Sequence, residues 1–117
     1  MKDTEARELV AHERARIEAA LAALAGNVRY EGELELQQSG ENAEAGSDLQ
    51  AEAIDTAIQG DLLRQLEEVR RAEERIAAGT YGKSVESGDL IPDARLKVAP
   101  LAERTVAEQA AAEARLR

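Results

Sequence analysis

The chain is 117 residues long, with 24 Asp plus Glu against 15 Lys plus Arg, a formal charge of -9, and no cysteine, tryptophan or phenylalanine. That length accommodates one domain, and because 24 residues are alanine and another 24 are Leu, Ile or Val, it cannot enclose a large enzyme interior. The acidic balance repels a phosphate backbone, the missing thiols exclude disulfides and thiolate metal sites, the polar start Met1-Lys2-Asp3-Thr4-Glu5 lacks the apolar run of a signal peptide, and nowhere do 18 apolar residues run together as a membrane span needs. The expectation is a soluble cytoplasmic protein that binds neither nucleic acid nor membrane.

From Asp3 to Ala25 the sequence predicts one helix, with Leu9, Ile17, Leu21 and Leu24 forming a narrow apolar stripe among Ala, Glu and Arg. Thr4 or Asp3 can cap it, and Gly26-Asn27 reads as its stop, since both residues tolerate left-handed dihedrals. Residues 26 to 47 then read as a loop: a short two-stranded turn about Glu31-Gly32, followed by the acidic stretch Gln37 to Ser47.

Ser47 or Asp48 is placed to cap a second, longer helix ending near Ala78, whose stripe is Ile54, Ile58, Leu62, Leu66, Val69 and Ile76. Gly60 falls in its middle, at a cost of about 1 kcal/mol against Ala. Two narrow-striped helices joined by a loop are expected to pack as an antiparallel hairpin. After Gly79 the composition turns to Gly, Ser and both prolines, Pro92 and Pro100, which predicts a small turn-rich knob. A last helix is expected from Leu101 or Ala102 to Arg117.

Catalytic signals are weak. Gly82-Lys83-Ser84 resembles the end of a phosphate-binding loop, but position 77, where the first glycine belongs, is Ala77, and a helix rather than a strand precedes it. His12 lies among Glu8, Glu13 and Arg16 with no nucleophile at hand, so it reads as a surface side chain. Without a nucleophile paired to a base, or a metal cluster, the chain is not expected to be an enzyme.

The specific signal is the knob. Arg75-Ile76-Ala77-Ala78-Gly79-Thr80-Tyr81-Gly82, then Ser87-Gly88, Ile91, Ala94-Arg95-Leu96, Pro100, Ala102 and Glu108-Gln109, resembles the C-terminal half of the DksA/TraR family, and the resemblance covers about residues 41 to 110. It implies a mainly α fold: an antiparallel two-helix coiled-coil hairpin over residues 1–79 with an acidic tip loop at about 26–47. A degenerate zinc-ribbon-like knob with a short C-terminal helix follows over 80–117, the whole forming one compact unit.

The resemblance also implies a partner, bacterial RNA polymerase, whose secondary channel receives the hairpin, with the alarmone ppGpp at the polymerase interface. The acidic tip residues implied are Glu41, Glu44 and Asp48, in a protein that acts as a monomer and has no catalytic residue of its own. At the positions of the four family cysteines stand Ser84, Ser87, Thr105 and Glu108, a set that cannot form a structural zinc site. No cofactor is therefore expected.

The knob is expected to be held by Tyr81, Val85, Leu90, Ile91, Leu96, Val98, Leu101 and Val106, and by hydrogen bonds of the substituted hydroxyls, staying folded only while docked on the base of the hairpin. The alternative function is a non-catalytic coiled-coil interaction or stress-related protein that keeps the scaffold and pairs through its helical stripe.

Overall fold

The computed structural model describes the backbone of residues 1–37 and 45–116, and the side chains of residues 1–26 and 50–116. The fold is mainly α, with four helices among the described residues in the order α1 (Asp3–Gln37), α2 (Ala45–Ala78), α3 (Asp93–Val98) and α4 (Val106–Arg115). Among the described residues no helix is long and apolar enough to cross a membrane.

Contacts group the chain into two units. One comprises Met1–Arg14 and Glu68–Arg117, and the other Ala15–Glu67. In each, α1 and α2 run antiparallel: Arg14 pairs with Glu73 in the first unit, and the Arg16 guanidinium donates to Gln65 Oε1 at 3.1 Å in the second. The first unit buries Ala6, Val10, Val69, Ala72, Ile91 and Leu96, and the second buries Ile17 and Leu62. Ala6, Val10 and Ala72 sit outside the apolar stripes read from the sequence, because in a thin helical pair an alanine or valine at the contact line is covered as fully as a leucine.

The helix boundaries depart from expectation in three places. The first helix does not stop at Gly26 but continues to Gln37, so the two-stranded turn and the first part of the expected loop are replaced by helix, while positions 38–44 of that loop lie outside the described residues. Among the described residues the left-handed glycines are Gly79, Gly82 and Gly88, and Gly26 is not one of them. A single helix-interior glycine costs only about 1 kcal/mol, and the Glu- and Leu-rich stretch from Glu31 to Leu36 favours helix beyond it. Three to four residues earlier than a cap at Ser47 or Asp48 implies, α2 begins at Ala45. The last helix starts at Val106 rather than Leu101 or Ala102, because Thr105 is its N-cap.

At its far end α2 stops where the sequence predicts. Gly79 adopts φ +76°, its amide donates to Ile76 O at 3.2 Å, and the Thr80 amide donates to Arg75 O at 2.8 Å. This six-to-one and five-to-two pair satisfies the last carbonyls of the helix and reverses the chain into the knob.

Candidate functional site

The knob is built from a tight turn whose two limbs meet at the antiparallel bridge between Lys83 and Leu90. Gly82 at φ +86° and Gly88 at φ +77° supply the left-handed conformations that the reversal needs. The Ser84 amide donates to Asp89 O at 2.8 Å, Gly88 N to Ser84 O at 2.9 Å, and Ile91 N to Gly82 O at 2.7 Å. Pro92 then precedes α3, whose buried Leu96 lies against Gly82, its Cδ1 3.5 Å from where a Cβ on that glycine would stand.

Held in this turn, Ser84 is the buried polar residue, with 5% of its surface exposed. Its hydroxyl accepts from Glu86 N at 3.1 Å and Ser87 N at 3.3 Å, and donates to Glu108 Oε2 at 2.9 Å. Glu108 closes the arrangement from α4. Its other carboxylate oxygen accepts from Thr105 N at 3.0 Å, while Thr105 Oγ1 accepts from Glu108 N at 3.2 Å. Thr105 and Glu108 are thus a reciprocal capping box at the start of α4, and the same carboxylate reaches across to the turn. The Thr105 amide first, then the Ser84 and Thr105 hydroxyls and least the Ser87 hydroxyl, hold the Glu108 carboxyl down at about 2.

All four positions read from the sequence as former metal-ligand positions therefore converge, joined by hydrogen bonds. The donor set does not suit zinc: three neutral hydroxyls and one carboxylate offer no thiolate or imidazole, and Ser84 and Thr105 Oγ are already occupied by amides.

Hydrogen bonds and ion pairs also carry much of what the sequence assigned to apolar packing. Ile91 and Leu96 are buried as expected, and Tyr81 and Leu101 are half-buried. Val85, Leu90, Val98 and Val106 are exposed, contrary to expectation. A turn of this length has room for two apolar anchors, and the polar cluster occupies the place a third would fill. Tyr81 instead contributes through its hydroxyl, which donates to Pro100 O at 2.7 Å, and burial pushes its phenol above the ordinary value.

Glu103 is the residue that sequence reasoning missed. Arg71 Nε donates to its carboxylate at 2.9 Å, Arg75 approaches the same oxygen at 3.8 Å, and its backbone carbonyl accepts from Val85 N at 2.8 Å. One residue therefore ties α2, the turn and the approach to α4 together, and nothing in the local pattern Ala-Glu-Arg singles it out. A cavity of about 500 Å³ opens beside it, with Arg71, Arg95 and Arg104 facing Glu13, Glu68 and Glu103. Its arginines are engaged: Arg95 Nε donates to Arg104 O at 3.1 Å and Arg104 Nε to Glu86 at 3.0 Å, so this cavity offers no surplus of positive charge.

Of the residues implied at the tip, Glu41 and Glu44 lie outside the described residues. Asp48 falls in α2, with its side chain outside them as well. His12 is exposed on α1, and Lys83 and Ser84 belong to the turn rather than to a phosphate-binding loop.

Among known proteins, no family model and no curated protein matches this chain. A solved structure does: that of transcription factor DksA2 from Pseudomonas aeruginosa, at TM-score 0.80 and 23% identity, covering 98% of this chain and 85% of that one. The likeness establishes that the helical hairpin, the knob and the closing helix together form a DksA-like fold.

Proposed function

We propose that this protein is a DksA/TraR-like transcription regulator that binds bacterial RNA polymerase through the secondary channel and acts without catalytic chemistry of its own. The observation that carries the reading is a DksA-like fold extending over 98% of the chain, hairpin and knob together. The hydrogen-bonded convergence of Ser84, Ser87, Thr105 and Glu108 adds to it, since it keeps the knob shaped without the zinc that the family motif implies. In this reading Glu41, Glu44 and Asp48 form the acidic tip that approaches the polymerase centre, and ppGpp acts at the polymerase interface.

The test is competition between the purified protein and a known secondary-channel ligand for polymerase core, followed by initiation assays with and without ppGpp. Wild type is expected to compete, and Glu44→Ala to compete but lose its effect on initiation. Absence of competition at tens of micromolar in low salt would discard the polymerase reading.

A further inference from the structure

The formal charge is not shared evenly. Ala15–Glu67 carries eleven acidic residues against three basic ones, whereas Met1–Arg14 with Glu68–Arg117 carries thirteen against twelve. Nearly the whole net charge of -9 therefore belongs to the second unit. Its three arginines can neutralise only a minority of its carboxylates.

Within that unit the helix pair leaves a groove of about 510 Å³. Leu21, Leu24 and Ala25 of α1 line it on one side, and Glu52, Asp55, Thr56 and Gln59 of α2 on the other. Glu52 and Asp55 make no ion pair with any described residue. On the neighbouring face of α2 the stripe residues Ile54 and Ile58 stay 60% and 45% exposed, whereas Leu62, one turn further on, is 8% exposed. Apolar surface and uncompensated carboxylates are thus offered side by side over the same turns.

We infer that this groove is a docking site for a cationic amphipathic segment of a protein partner: Leu, Ile or Met side chains seat on Leu21 and Leu24, and flanking Lys or Arg meet Glu52 and Asp55. Charge complementarity selects the occupant. A second copy would bring its own excess of eight carboxylates to the same surface and is repelled, and nucleic acid is repelled likewise. A cationic segment gains apolar burial and electrostatic steering together. The inference deepens the proposed function by assigning a contact made by the flank of the hairpin rather than by its tip, and it is testable without polymerase.

The experiment uses the full-length protein, labelled for NMR, and three synthetic 18-residue probes: a Leu/Lys amphipathic helix, a Ser/Lys peptide of equal charge and a Leu/Glu helix. The Leu/Lys probe is expected to bind with shift changes centred on residues 21–25 and 52–59. Glu52→Lys with Asp55→Lys, at an exposed and a half-buried position of the groove wall, is expected to weaken it by about tenfold or more with the helix content unchanged. Leu24→Ser should weaken it comparably. Equal binding of the Ser/Lys peptide would reduce the site to non-specific charge attraction and overturn the proposal, as would shift changes elsewhere or an unaltered affinity in the Lys variant. Polymerase competition by the wild-type protein separates the two readings: probe binding without polymerase binding refutes only the proposed function, and the converse refutes only the groove.

Discussion

Ser84 and Glu108 show how one hydroxyl and one carboxylate hold a turn against a helix. Removing the buried Ser84 hydroxyl leaves the partly covered amides of Glu86 and Ser87 and one oxygen of Glu108 without this partner. Ser84→Ala is therefore expected to destabilise the protein by about 1–3 kcal/mol in chemical denaturation, a loss that an exposed serine such as Ser87 would not produce on mutation. Glu108 adds a pH dependence. Its carboxyl lies at about 2 in the folded chain against an ordinary 4.5, so the unfolded chain takes up the proton first as pH falls. The stabilisation is complete above about 4.5 and disappears as pH falls toward about 2. Glu108→Gln is expected to flatten that acid limb in melts between pH 5 and 2; an unchanged slope would show that other carboxylates govern it.

At the scale of elements, sequence and structure agree where periodicity and stop signals coincide. Gly79 ends α2 because Thr80 and Gly79 can return their amides to Arg75 and Ile76, a local requirement that the chain spells out. Gly26 carries the same letter without that use, and whether a glycine caps or merely interrupts a helix depends on the favourable residues beyond it. The four converging positions were legible only through the family resemblance, which sets its cysteines at 84, 87, 105 and 108. The exposure of Val85, Leu90, Val98 and Val106 was not, because hydropathy cannot tell an apolar anchor from an apolar bystander in a turn only a few residues deep. Glu103 had no signal at all, its role arising from arginines some thirty positions earlier. Gly60 provides a check on helix energetics. A Cβ there would meet nothing within 4 Å, so Gly60→Ala is expected to stabilise α2 by about 0.5–1 kcal/mol, read as a raised denaturation midpoint. A lower midpoint would mean that the glycine serves a conformation other than the helix.

For the molecule as a whole, the division of charge makes opposite demands on the two units. Unit Ala15–Glu67 repels itself, whereas in the other unit the Glu103 pairs with Arg71 and Arg75 are partly buried and screened less. Raising salt from low to physiological levels is expected to increase the melting temperature of the hairpin helices, followed by circular dichroism; a decrease would show that attraction between charges outweighs repulsion there. Glu103→Ala should act on the other unit. Amide exchange in residues 80–100 is expected to rise well above that of residues 68–78, and equal protection in the two segments would show that the knob does not depend on this tether.

A turn closed by hydroxyls and a carboxylate is also indifferent to two hazards that dismantle thiolate–metal knuckles. Hydrogen bonds among hydroxyls and a carboxylate give a chelator nothing to compete for, and the sequence has no cysteine for peroxide to oxidise, the one methionine being Met1. Melting curves taken after treatment with EDTA or hydrogen peroxide should superimpose on the untreated one. The shape of the knob rests instead on the Glu108 carboxylate staying ionised, which places its weak point near pH 2, far more acidic than any cell interior.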